Sequence, residues 1–150
     1  MADIFSSAVR SRMMSAIKGK DTKPELSIRK NLHSRGYRYR LHVNGMPGRP
    51  DMVFPKFFCA LFVHGCFWHG HDCNLFHWPA TRIDFWKEKI NGNRKRDSVS
   101  ESTLLDEGWR VGKVWECALR GRARLEIDDI ITQCEHWLRG TEPQLEIRGI

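Results

Sequence analysis

Apolar residues follow two periods along this chain. Tyr37, Tyr39, Leu41 and Val43 alternate with Arg38, Arg40 and His42, which predicts a half-buried strand. Met52-Val-Phe54 predicts a short strand, Phe57 to Val63 a central one, and Trp109 to Glu116 another buried one. Helical spacing appears at Leu26, Ile28 and Leu32, at Phe85, Trp86 and Ile90, and at Ile127, Ile130, Ile131, Cys134, Trp137 and Leu138. Thr22-Lys-Pro-Glu25 opens the first helix: Thr22 caps, Pro24 suits the first turn and Glu25 completes a capping box. Gly36 ends it.

Asn44-Gly45 turns the chain, Pro47-Gly-Arg-Pro-Asp51 leads rigidly into the short strand, and Pro55-Lys56 makes a tight turn. Thr81-Arg-Ile-Asp84 repeats the capping pattern, here with Asp. Asn91-Gly-Asn93 weakens the second helix, which resumes to Leu105 and ends at Gly108. Residues 1–21 are polar and basic, with Met13, Met14 and Ile17 on a weakly amphipathic face, and residues 141–150 read as a loose tail. The order αβββ–α–β–α predicts an α/β chain with a mixed sheet covered by helices.

At 150 residues, with 41% apolar content, the chain suits one domain with a real core. A formal charge of +7 favours a polyanionic partner. No apolar run approaches the roughly 20 residues that span a bilayer, and the first residues lack the pattern of an export signal. The five cysteines are an odd number, and nothing points to secretion. They are read as metal ligands and buried small groups rather than disulfides. A cytoplasmic protein with no membrane partner is expected.

His64-Gly-Cys-Phe-Trp-His69-Gly-His71-Asp-Cys73 concentrates the chemistry. Cys66, His71 and Cys73 have the ligand types and compact spacing of a structural zinc site, and Cys117 is the best distant fourth ligand. His69 and His77 stay open as alternatives. Gly65 and Gly70 leave the loop little core of its own, so a metal would stabilise it by coupling ligation to local folding. His64 and His69 are free for general-base work. Phe67 and Trp68 form an apolar wedge in a segment too rich in Gly and His for ordinary core.

Asp51 lies at the start of a strand, close in sequence to the central strand ending at Val63-His64, and Glu25 could reach the same place from the first helix. One or two carboxylates plus phosphate oxygens and water suit magnesium.

These residues closely resemble the very-short-patch-repair (Vsr) DNA mismatch endonucleases. The matching segments are Pro47-Gly-Arg-Pro-Asp51, His64-Gly-Cys-Phe-Trp-His69, Cys73, Pro79-Ala-Thr-Arg82, Phe85-Trp86-x-Glu-Lys-Ile90, Arg96-Asp97, Gly108-Trp-Arg-Val111 and Val114-Trp-Glu-Cys-Ala-Leu119. The resemblance implies a restriction-endonuclease-like fold with a structural zinc. It also implies nicking on the 5′ side of the thymine in T·G mismatches left by 5-methylcytosine deamination. It makes Asp51 the direct magnesium ligand, with the Val63 carbonyl beside it, and His69 the catalytic histidine. Glu25, His64 and Asp97 fall on groups that hold metal-bound waters. Cys66, His71, Cys73 and Cys117 fall on the zinc positions. Phe67, Trp68 and Trp86 fall on aromatics that enter the DNA stack, and Met14 and Ile17 on a helix probing the other groove.

The organisation then becomes a DNA-probing arm over 1–21, a catalytic domain over 22–140 and a tail over 141–150. The partner is double-stranded DNA with a T·G mismatch, met by a monomer in the bacterial cytoplasm. Gly112 and Lys113 interrupt an otherwise apolar strand and leave its packing open. Two readings compete: a magnesium nuclease of the same fold with relaxed specificity, and a zinc-stabilised DNA-binding module without catalysis. The joint presence of Asp51, His69, Glu25 and His64 argues against the second.

Overall fold

The computed structural model describes residues 22–150. The 1–21 arm, with Met14 and Ile17, lies outside the described residues. Helix α1 (Lys23–Ser34) is followed by strands β1 (Arg40–Leu41) and β2 (Met52–Phe54), a 3-10 turn at Pro55–Phe57, and β3 (Cys59–His64). Helix α2 (Ile83–Asp106), β4 (Arg110–Trp115), the single turn α3 (Glu116–Leu119), α4 (Ile127–Arg139) and β5 (Gln144–Ile147) complete the order. One five-stranded sheet runs β1-β2-β3-β4-β5. The first three strands are antiparallel and the last three parallel. The tight turn after β2 allows antiparallel pairing, whereas parallel pairing of β3 with β4 needs a crossover, here supplied by α2.

Alternate residues of β3 supply two cores. Cys59 and Leu61 face Ile28 and Leu32 of α1 and Ile130, Ile131, Cys134 and Leu138 of α4. Ala60 and Phe62 face the other way, with Val111, toward Leu104 of α2. The fold is therefore mixed α/β, with helices on both faces of the sheet. Among the described residues no helix is long and apolar enough to cross a membrane.

Four expectations change. The strand expected over 37–43 shrinks to Arg40–Leu41, both exposed. His42 has φ 47 and ends it. The tyrosine alternation reflects ring packing, with Tyr37 tilted on Phe57 and Tyr39 edge-on to Phe54. Second, α2 is continuous through Asn91-Gly-Asn93, because Asn93 turns its amide outward to donate to the Trp68 carbonyl at 2.9 Å. Third, Arg82 rather than Thr81 occupies the start of α2, at φ 54 with no side-chain cap. Fourth, the expected tail contains β5: Ile147 is 2% exposed and pairs with Val114.

Gly112 interrupts the apolar strand without weakening it. A Cβ there would lie 2.9 Å from the Trp137 ring and 3.0 Å from Leu61, so only glycine lets α4 seat on the sheet. Lys113 faces the opposite layer and pairs with Glu101 of α2 at 3.1 Å.

Candidate active site and metal centre

The chemistry gathers where β3 ends. Pairing of Met52 with Leu61 carries Asp51 to the last turn of that strand, where its Oδ2 accepts the Val63 N–H at 2.6 Å. Glu25 arrives from α1, whose start is fixed by Thr22: the hydroxyl accepts the Glu25 N–H at 3.3 Å. The Glu25 carboxylate, in a side chain only 2% exposed, meets Arg29 at 3.1 Å and His42 Nε2 at 3.0 Å. Glu25, His42 and Asp51 each offer a ligand atom within 4.8 Å of the others. Burial pushes the Asp51 carboxyl up to about 7, the negative charge of Glu25 adds to the rise, and the Val63 N–H opposes it. Two carboxylates this close and this dry favour a cation between them. Sequence reasoning missed His42, because the left-handed kink that aims it at Glu25 leaves no sequence signal.

The second cluster uses the residue after Val63. The His64 and His69 rings stack at 3.8 Å and 4°. His69 Nδ1 meets Asp97 Oδ2 of α2 at 2.5 Å. With Asp97 as acceptor, the ring proton sits on Nδ1 and the Nε2 lone pair is left to act as a base. His64 is buried and held well below the usual imidazole range, first by desolvation and then by its neighbours His69 and Lys113. A cleft of about 690 Å³ is lined by Val63, His64, Phe67, Trp68, His69 and Lys89, among others.

Cys66, His71, Cys73 and Cys117 form a third group, with their donor atoms all within 4.8 Å of one another. His69 is engaged by Asp97, and exposed His77 is absent from the group. His71 Nδ1 lies 3.6 Å from Cys66 Sγ and 3.6 Å from Cys117 Sγ. A tetrahedral zinc with its usual bond lengths sets sulfur and nitrogen ligands about 3.5 Å apart, so the spacing fits a closed metal site. The Cys117 N–H donates to Cys66 Sγ at 3.3 Å, and the Gly149 N–H to Cys117 Sγ at 3.2 Å. Burial pushes the Cys66 and Cys117 thiols up. A cation at the centre would reverse that, since ligand sulfur must be thiolate. His71 stacks on Trp115 at 3.9 Å and 7°, and its Nε2 is buried without a hydrogen bond.

Two polar groups hold this loop. Glu116 Oε1 accepts the Cys66 N–H at 3.1 Å. Arg94 donates twice to the Gly70 carbonyl, through Nε and Nη2; sequence alone reads it, with Lys95 and Arg96, as part of a basic cluster facing phosphate, and here it supports the loop. Gly70 has φ 59, a conformation that favours glycine.

The aromatic wedge is larger than expected. Phe67 packs against Trp68 at 5.3 Å and Trp86 at 5.5 Å, and Trp68 lies 5.9 Å from Trp86. Phe76, Trp78 and Phe85 extend the group. Trp78 and Phe85 stay exposed, at 39% and 43%. For Phe76 and Trp78 the only sequence signal was aromatic crowding in the connection that leads to α2.

Residues 2–75 match the profile of the family described as DNA mismatch endonuclease Vsr. The DNA mismatch endonuclease Vsr of Escherichia coli K12 is 44% identical over 152 aligned residues, covering 100% of this chain and 97% of the relative. A type II nicking enzyme of Xanthomonas oryzae, V.XorIIP, is 48% identical and covers 84% of this chain and 93% of its own. Another, V.NmeAIP of Neisseria meningitidis, is 46% identical and covers 82% and 88%.

Proposed function

The chain belongs to the DNA mismatch endonuclease Vsr family, and from that membership we propose that it nicks one DNA strand 5′ of the thymine in a T·G mismatch left by deamination of 5-methylcytosine. The carrying observation is that His69, held by Asp97 of α2, lies in the same short loop as Phe67 and Trp68, while half-buried Asp51 is bonded to Val63 at the end of the strand leading into that loop. One segment thereby unites a base and a wedge. The proposed fold is restriction-endonuclease-like, and the proposed domain runs from residue 22 through β5. Residues 1–21 form the arm, with Met14 and Ile17 probing the duplex.

Asp51 and the Val63 carbonyl would hold magnesium, and Cys66, His71, Cys73 and Cys117 zinc. Bound magnesium supplies neutralisation of charge at the scissile phosphate. His69 accepts a proton from attacking water through Nε2, while Asp97 stabilises the resulting imidazolium. Glu25 and buried, neutral His64 orient water around the phosphate. Phe67, Trp68 and Trp86 enter the stack; unstacking costs a few kcal/mol per step, and least at a mismatched pair. Selection thus comes from ease of opening. A lesion confined to one strand suits a monomer, and the site of action is the bacterial cytoplasm.

The test is nicking of a T·G duplex with magnesium, compared with matched and other mismatched duplexes. Cleavage 5′ of the mismatched thymine alone is the expected result. Equal cleavage of matched DNA would mean a relaxed nuclease, and binding without cleavage a non-catalytic module.

A further inference from the structure

Strand β5 and the residues after it touch the Cys/His centre and the residues around it at several points. Arg148 grips Asp72 with both arms of its guanidinium: Nη1 donates to Oδ1 at 2.8 Å and Nη2 to the backbone carbonyl at 2.8 Å. Asp72 sits between His71 and Cys73, so this one grip constrains two donors. The Gly149 N–H then donates to the sulfur of Cys117, the donor furthest away in sequence, at 3.2 Å. The passage is narrow. A Cβ on Gly149 would lie 2.6 Å from the Cys117 carbonyl and 2.7 Å from that of Ala123. The Ile150 N–H closes the path on Ala123 at 2.9 Å. Upstream, Glu146 Oε2 accepts the Trp115 indole N–H at 2.9 Å, and that indole is the surface on which His71 stacks.

Each contact alone is weak, and the Asp72 side chain is 84% exposed. Their arrangement is the informative part. Every donor except Cys66 is either held by this segment or adjoins a residue that is. Release of a metal needs the loop to open locally, not the sheet to unfold. Ties placed on the loop therefore act on metal retention far more than on the fold.

We propose that β5 with Arg148 and Gly149 is a latch on the Cys66/His71/Cys73/Cys117 centre, with Arg148 and the Gly149 N–H as positioning groups that keep the donors at ligand spacing. The proposal rests on the zinc reading of that centre. The experiment uses the full chain as wild type, Arg148→Ala, Arg148→Lys, Asp72→Ala and Gly149→Ala. Zinc release is followed with excess chromogenic chelator, and urea unfolding of each zinc-loaded protein is measured in parallel.

Arg148→Ala should release zinc roughly tenfold faster, the lower end of what groups supporting a ligand contribute. Arg148→Lys should fall between the two. Asp72→Ala should lose less than Arg148→Ala, because the bond to the carbonyl survives. Gly149→Ala, which forces the strand off Cys117, should release at least as fast as Arg148→Ala. Urea midpoints of the two Arg148 variants and of Asp72→Ala should stay near wild type. Release at the wild-type rate from Arg148→Ala and Gly149→Ala overturns the latch. So does a urea midpoint that falls in step with release, which would make these contacts merely structural. A wild-type protein that carries no zinc would instead refute the metal reading itself, and the chelator trace separates the two failures.

Discussion

Asp51→Asn should leave the enzyme unable to nick yet more stable without magnesium, and the gain should depend on pH. The Asp51 carboxyl is pushed from 3.8 up to about 7, mainly by burial. Between about pH 4 and pH 7 the native state keeps a proton that the unfolded chain has released, so stability falls as pH rises through that window. Above pH 7 the loss is complete, and below pH 4 it vanishes. At about 1.36 kcal/mol per unit, a shift of some three units amounts to roughly 4 kcal/mol. Asp51 is only half-buried, and solvent screening puts the expected gain nearer about 2–4 kcal/mol. Asparagine carries no charge at any of these pH values, and its amide oxygen still accepts the Val63 N–H. Urea unfolding without magnesium should therefore show the two proteins alike near pH 4 and the variant ahead by about 2–4 kcal/mol near pH 8. Magnesium at a hundred times its dissociation constant should restore about 2.7 kcal/mol to wild type alone. A variant less stable than wild type near pH 8, or a difference that does not move with pH, refutes the reasoning.

Cys117→Ser should weaken zinc affinity at least tenfold and lower the melting temperature, as measured by metal analysis and calorimetry. Trp68→Ala should weaken binding to T·G DNA by roughly 1–3 kcal/mol more than binding to matched DNA, with the salt slope of affinity unchanged. An unchanged ratio of dissociation constants would make the cluster plain packing. Gly112→Ala should destabilise by about 1–3 kcal/mol through overpacking against Trp137 and Leu61, as read from urea midpoints.

Local signals carried much of this molecule. Thr22 and Pro24 marked the start of α1, and unbroken apolarity marked β3. The spacing of Cys66, His71 and Cys73 identified three members of a donor group that the fold completes with Cys117. What escaped depends on distant pairing or on backbone kinks. Strand β5 shows only Leu145 and Ile147 as apolar positions, too few to distinguish it from a tail until β4 is there to receive it. His42 reaches Glu25 through a left-handed residue. Thr81-Arg-Ile-Asp84 looked like a cap, but Arg82 turns the chain before Thr81 can act. Phe76 and Trp78 join the aromatic group through Phe67, which their sequence positions do not reveal.

Helix α2 carries Trp86 near its beginning and Asp97 about three turns later, so the two face one side of the rod some 16 Å apart. Asn93 and Arg94, between them, rivet that rod to the loop at Trp68 and Gly70. The separation between the aromatic group and the His69 partner is thus a ruler length, fixed by residue count rather than by residue identity. A one-residue insertion between Trp86 and Asp97 would swing one end by about 100° relative to the other. A whole added turn would keep both side chains aligned but lengthen the rule by about 5.4 Å, more than one nucleotide step of a DNA strand. Substitutions along this stretch leave the gauge intact; changes of its length reset it.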